Sequence, residues 1–494
     1  MQTKRIVYPL LGCIVLLLCV GIYIANAQEG KLLVPSEEPL SLQECIKLTA
    51  QNSFEVKLAR LDFLIAETDI GIAEAVFDTS LFADINYERD KQEQVSVFGT
   101  DETITNTYSA GASKTFPSGT EFTLTLSDKR NWSDSQYVSR NPSHEAETSL
   151  GIRQPLAKNY FGYADRRTVS ATRLAVQNAD LDTKERIELL FADVEKAYWE
   201  WAFSKKRLEI YREILAKAKE LHEVNTNNYD VGRIEKGDFL ASQANVVIRE
   251  KDVLIAENKY RRAEENMKLL ININADDRID PRESLEYRKE LFNLTGCLKK
   301  AFQIRRDYQK SKTELARQKI ILETKANEKW PEIDLVASMT ANGIASEFSK
   351  AADRVGTGNA DYYAGLEISV PLENNLAKSE FKKAAHNKEK AIIELKNIER
   401  AIITEVGNSF RDYVTYEGNV TNLIEVAELQ YEKLDEEGKQ FKYGRSTTKR
   451  LIDYQQDYLT AKLQVAQGLL DLETSRTNLG KTLNAILEKY ERML

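Results

Sequence analysis

The sequence predicts a mainly α protein with membrane β. Long antiparallel helical hairpins lie side by side and join a transmembrane β-barrel shared between chains, and the whole is an internal twofold repeat. Three observations predict this. Two stretches of roughly seventy residues keep helical periodicity without a break. Short alternating strands interrupt each half of the chain at the same place. The stretch "NYDVGRIEKGDFLASQANVV", 228–247, also lies without a gap over "QFKYGRSTTKRLIDYQQDYL", 440–459. A gapless match over roughly forty residues marks an internal repeat rather than chance.

The first 28 of the 494 residues, "MQTKRIVYPLLGCIVLLLCVGIYIANAQ", carry Lys4 and Arg5, an apolar run and Ala-Asn-Ala. This reads as a secretory signal peptide, 1–27, cut after Ala27, with an uncleaved anchor as the alternative. "LLGC" at Cys13 imitates a lipoprotein box, but most of the apolar core follows the cysteine, which is the wrong order. The remainder divides into a first structural repeat, 28–280, and a second, 281–494. No comparably long apolar run follows, so re-entry into a membrane is expected only as strands. Removing the signal takes the net charge from −8 to roughly −10. An acidic exported chain without basic clusters is not expected to bind nucleic acid.

Each repeat reads as a short helix, strands, a long helix, a turn and a returning helix. The long helix of the second repeat, about 373–442, contains no proline, and its apolar positions recur at steps of three and four, as in Leu395, Ile398, Ile402, Val406 and Phe410. At 1.5 Å per residue it is about 105 Å long, and it can be buried only along helices of similar length. The first repeat has its equivalent at about 158–228. The returning helices run at about 236–270 and 448–487, placing the helical hairpins at 157–272 and 373–489. Short helices open at about Ser41 and Leu291, and stacked end to end with the returning ones they match the long rods. Cys45 and Cys297 sit in these openings as small packing residues rather than as a disulfide pair.

Strands are expected within 81–155 and 332–371. "SLFADINYE" alternates Leu81, Ala83, Ile85 and Tyr87 against Asp84, Asn86 and Glu88; "YYAGLEISVPL" alternates Tyr362, Leu366 and Ile368 against Glu367 and Ser369. One face is apolar and the other wet. "FPSGT", 116–120, reads as a tight hairpin turn. A soluble sandwich would also use such strands. The signal peptide, the few strands per chain and the hundred-ångström helices favour lipid. On that reading Leu366 and Ile368 are lipid-facing. A handful of strands leaves open edges that lipid does not tolerate, so several chains must close the barrel.

No metal-ligand spacing, nucleophile elbow or phosphate loop is visible. The three histidines, His144, His222 and His386, stand in unlike contexts, the last two on helix surfaces read as solvated. No catalytic residue, metal or cofactor is expected, and the protein is not read as an enzyme.

"LSLQECIKLTAQNSFEVKLAR" at the first helix, "QPL" and "VPL" after the strands, and both glycine turns with their return helices resemble the TolC-like outer membrane efflux protein family. The resemblance covers nearly the whole chain after 27. It implies a homotrimer whose shared β-barrel sits in outer membrane lipid above a long periplasmic α-barrel. It further implies an exit duct of a tripartite efflux or type I secretion system, docked on a periplasmic adaptor (membrane fusion protein) and through it on an inner-membrane pump. The adaptor-docking turns of the family match Gly232-Arg233 and Gly444-Arg445. The acidic tip constriction falls on Asp238 and Asp453, with Arg450 where a second acid is usual. A mixed ring of Arg450 and Asp453 could pair between neighbouring chains and hold the tip shut. The family's usual two strands per half are exceeded in the first half, at 81–88, 108–114, 122–127 and 149–153. Extra barrel strands and a hairpin projecting outside both fit, with the projection slightly preferred. The rival readings are a periplasmic coiled-coil adaptor, which needs one helical hairpin beside a lipoyl-like domain, and a structural envelope protein, which needs no strands.

Overall fold

The computed structural model describes residues 39–92, 100–135 and 137–490. The signal peptide expected at 1–27 lies outside the described residues.

Helices set the dimensions. The first segment, α1 (Leu42–Asn52), starts at a capping box in which the Ser41 hydroxyl accepts from the Glu44 N–H and the Glu44 carboxylate accepts from the Ser41 N–H. One extended residue, Ser53 (ψ 132°), separates it from α2 (Phe54–Glu74). The long helix α3 (Tyr163–Asp230) has 68 residues and returns through α4 (Lys236–Ile271), which has 36. The second half repeats these lengths. A pair α5 (Leu294–Ile304) and α6 (Arg306–Asn327) is broken at Arg305 (ψ 124°), α8 (Asn375–Lys442) has 68 residues and α9 (Thr448–Leu483) has 36. The openings read from the sequence as single short helices are therefore each two. A single residue leaving the helical region is enough to turn the chain, and neither Ser53 nor Arg305 carries the glycine or proline signal that would announce it.

The helices pack as four parallel rods. One edge rod is α2 stacked on α4, followed by α3, then α6 stacked on α9, and α8 is the other edge. The stacked rods are joined by equivalent asparagines. Asn272 ends α4 with φ 51° and donates from Nδ2 to the Asn52 carbonyl at 3.0 Å. Asn484 ends α9 with φ 54°, and its Oδ1 accepts from the Arg306 N–H at 2.8 Å. Asparagine tolerates this left-handed geometry better than most residues. The last helix, α10 (Ile486–Tyr490), then crosses back, so the return helix stops at Leu483 rather than near 487.

The core lies at the level of these joints, where Phe191, Tyr198 and Trp201 of α3 are fully buried. Cys45 and Cys297 are free and buried in two separate apolar clusters, as expected of packing residues. Burial pushes the Cys45 thiol well above its usual pKa, which leaves it inert. Two acids of α3 are also buried here. Glu188 pairs with Arg306 and accepts from the Ile486 N–H at 3.2 Å; Glu195 accepts from Tyr490, Lys489 and Thr477 at 2.5, 2.8 and 2.9 Å. Burial raises the pKa of Glu188, with Arg306 opposing the rise.

The six strands β1 (Thr79–Asp90), β2 (Thr103–Thr115), β3 (Glu121–Ser133), β4 (Ser143–Pro155), β5 (Glu332–Ala345) and β6 (Ala360–Ser369) form one antiparallel sheet in sequence order. This corrects the preference for a projecting hairpin, because β2 and β3 are hydrogen-bonded along their length on both sides. In the registers, Ile85 lies opposite Tyr108, Ala110 opposite Leu126, Leu124 opposite Leu150, Leu150 opposite Met339, and Leu335 opposite Leu366. Apolar side chains thus share one face across all six strands, and threonine, serine and charged residues dominate the other. On the wet face Arg153 bridges Asp334 and Glu367, at 2.7 and 2.8 Å. Near the top, the short helix α7 (Phe348–Ala352) packs over β4 and β5. Phe348 lies against His144, whose ring is 2.8 Å from the buried Asp128. Gly343 permits this approach, since a Cβ there would collide with the Ala351 carbonyl. The predicted turn at 116–120 is present, closed by the Phe116 N–H donating to the Thr120 carbonyl at 2.9 Å, with Gly119 at φ 74°.

Removing one member of a buried ion pair strands the other. Glu188→Ala is expected to cost about 3–5 kcal/mol, read as a lower thermal midpoint of the purified protein. Asp62→Ala at an exposed pair with Arg186 should cost less than about 1 kcal/mol.

Candidate functional site at the helical tip

The residues predicted to act at the far end of the rods occupy two equivalent turns. Gly232 and Gly444 both stand at φ 73°, and both close the same hydrogen-bonded cap. The Gly232 N–H donates to the Tyr229 carbonyl and the Arg233 N–H to the Asn228 carbonyl, at 2.9 and 2.8 Å; Gly444 and Arg445 repeat this with Phe441 and Gln440 at 3.0 and 2.9 Å. This double bond to a left-handed residue consumes the last helix carbonyls. A Cβ added at either glycine would meet open space, so the constraint there is conformational rather than steric. Arg233 and Arg445 are exposed at the very end of the molecule.

A cleft of about 660 Å³ separates the two tips. Arg233 and Asn228 of the first hairpin line it opposite Tyr443, Gly444 and Lys442 of the second. The structure therefore brings Arg233 and Gly444 to one cleft. The hairpins are tied together beside it by Asn225, fully buried, which donates from Nδ2 to the Thr448 hydroxyl at 3.2 Å. Asn225 went unnoticed in the sequence. It lies four residues after the buried Leu221 and so on the same inward face, and a lone amide on such a face is the signal that could have found it.

Asp238 stands in the first turn of α4 and Asp453 in the second turn of α9, the latter exposed. Arg450 has a partner within its own chain: its guanidinium lies 3.7 Å from Glu437, which also accepts from the Ser446 hydroxyl. Glu437 was missed because it belongs to the descending helix, on the other side of the turn. His222, read as solvated, is partly buried instead. Its ring packs on Phe239 and its Nδ1 is 3.0 Å from the Ser242 hydroxyl. The helix face that looked exposed in isolation is covered by the return helix. His386 is exposed as expected, 3.7 Å from Glu389.

Among the described residues no group of side chains could hold a metal ion, and no helix is long and apolar enough to cross a membrane. The arrangement of rods, sheet and tip has solved counterparts. It matches a membrane protein from Pseudomonas aeruginosa with a TM-score of 0.68 at 15% identity, covering 92% of this chain and 91% of that one. The CmeC outer membrane channel of Campylobacter jejuni matches at 0.66 and 13%, over 92% and 89%. The open-state MtrE outer membrane channel of Neisseria gonorrhoeae matches at 0.66 and 16%, over 90% and 89%. The fold is that of these outer membrane channels. Residues 119–272 match the family described as Outer membrane efflux protein, which bears out the resemblance read from the sequence. That span runs from the turn before β3 through the first glycine turn to the end of α4. No curated protein matches by sequence.

Proposed function

We propose that the protein is the outer membrane exit duct of a tripartite efflux or type I secretion system. It passes substrates from the periplasm to the exterior and performs no chemistry itself. The observation that carries this reading is the sheet with one apolar outer face, set directly on rods of about 100 Å. On this reading the sheet lies in outer membrane lipid and the rods cross the periplasm.

A single chain is incomplete. Among the described residues both sheet edges are unpaired; one edge rod exposes apolar stripes at helical spacing, Leu58, Leu61, Ile65 and Ile72 on α2 and Leu240, Val247 and Leu254 on α4, and the other exposes Ile393, Ile403 and Leu429 on α8. The Leu240 series recurs every seven residues, the period of a helix seam. We take these flanks to meet in a homotrimer, built from two structural repeats per chain, 28–280 and 281–494. Energy would come from an inner-membrane pump coupled through an adaptor. The adaptor would engage the Gly232-Arg233 and Gly444-Arg445 turns, whose guanidinium groups offer donors to carbonyls or carboxylates. Asp238, Arg450 and Asp453 would line the constriction, with Arg450 held within its own hairpin by Glu437.

Deleting the gene and profiling drug sensitivity and secreted proteins tests the reading as a whole: an unchanged profile in both would count against a duct. Arg placed at Leu366 or Ile368 should cost about 2–4 kcal/mol near mid-membrane and deplete trimers from outer membrane extracts. Glu367→Gln should leave their level unchanged. Gly232→Glu combined with Gly444→Glu strains each turn by about 1 kcal/mol, and should leave trimers in the membrane while abolishing export. Arg450→Asp sets a like charge face to face with Glu437. It should raise single-channel conductance in planar bilayers and shift selectivity toward cations, whereas unchanged conductance would remove Arg450 from the constriction.

A further inference from the structure

We propose that β2 and β3 are wall strands of the membrane barrel, so that three copies of a six-stranded sheet close an 18-stranded barrel as wide as the helical ring beneath it. This rests on the trimeric-duct reading above.

Three observations on the fold lead here. The outward positions of β2 and β3 continue the apolar band of their neighbours without a shift of register. Ile85, Tyr108 and Ala83, Ala110, Leu126 run in line toward β4. The hairpin that joins them, 116–120, lies at the helix end of the sheet, where Gly119 sits so close to Gly162 that a Cβ would overlap its backbone nitrogen. A hairpin swung out of the wall would lose that contact. Finally, both sheet edges continue into the edge rods: β1 follows α2, and β6 precedes α8. The seam between copies therefore falls on the same flank in the sheet and in the rods.

The widths then agree. Four rods with axes 8–10 Å apart occupy an arc of about 32–40 Å per chain. Six strands about 4.8 Å apart, tilted about 40°, occupy about 38 Å, whereas four would occupy about 25 Å. With β2 and β3 in the wall the two barrels meet flush at a backbone diameter of about 36 Å, in the range where barrels enclose an aqueous channel rather than a packed core. The inner face the two strands add is Thr105, Thr107 and Ser109 on β2 with Thr123, Thr125 and Ser127 on β3. It is hydroxyl-rich and offers hydrogen-bond partners to water in the lumen.

The test uses full-length protein reconstituted in vesicles, with Cys45 and Cys297 replaced by alanine. Bimane is attached at Leu124→Cys, Leu126→Cys, Thr123→Cys and Thr125→Cys, and at Tyr362→Cys on the outer face of β6. Brominated lipid should quench the two leucine positions several-fold more than the two threonine positions, and to the same extent as position 362. Equal quenching of all four β3 positions by aqueous iodide, with position 362 still quenched by lipid, overturns the proposal and leaves the duct standing. Loss of lipid quenching at position 362 as well overturns both. For the seam, Ala83→Cys is combined in turn with Ala360→Cys and Ala364→Cys. Within one chain these lie five strand spacings apart, about 24 Å, beyond the reach of a disulfide. Oxidation should give a covalent ladder ending at the trimer. An intact trimer with no ladder from either pair overturns closure through β1 and β6.

Discussion

In hydrocarbon an unpaired backbone N–H or C=O costs several kcal/mol, because no water is there to satisfy it. Most of this architecture follows from that cost. A six-stranded sheet with an apolar outer face leaves β1 and β6 with open edges, and neither edge can rest in lipid. The chain carries its own answer in the rods below, whose edge members α2, α4 and α8 expose apolar seams on the same flanks. On the duct reading, closure of the sheet and burial of the seams become one event.

The rods in turn depend on how two of them are joined. The continuous helix α3 clamps both joints. Its Glu188 holds Arg306, which opens α6, and the backbone of Ile486, just past the end of α9. Its Tyr198 donates to the Leu40 carbonyl ahead of α1 at 3.0 Å. On the other side α8 supports the second joint, with Glu405 on Arg305 at 2.8 Å and the Ser409 hydroxyl 3.0 Å from that of Thr482. Buried charges of this kind add little net stability over apolar packing, but they penalise wrong registers heavily. Long rods that could slide past one another by a turn have use for such pins.

Much of this was legible in the sequence, and the boundary of legibility has a physical cause. The long helices and the glycine turns were readable because each is set by local chemistry, either by periodicity or by a residue that tolerates positive φ. The breaks at Ser53 and Arg305 were not, since both residues adopt ordinary extended angles that only the surrounding pack selects. The same holds at the tip. The Gly-Arg turns were evident from their own spacing, while Glu437 beside Arg450 and Ser242 beside His222 are meetings across the hairpin, and one strand of text does not show which faces touch. The place of β2 and β3 depended on pairing with neighbours, which alternation alone does not assign.

The order of the strands also bears on how the chain acquires its shape. Every pairing joins strands consecutive along the chain, but β4 and β5 alone are separated by the long helices. Ser149 and Thr340 face each other across that ladder although they stand 191 positions apart in the chain. Such a loop carries a large closure entropy if its chain is flexible, and it is the long-range part of the contact order that slows folding. Here the intervening residues are α3, α4, α5 and α6, which form a stiff hairpin and bring the two strand ends back to the same level. Once the helices have packed, the closure is already made. The sheet thus divides into a four-stranded meander and a single hairpin, joined by one ladder whose ends the helices hold at the same level.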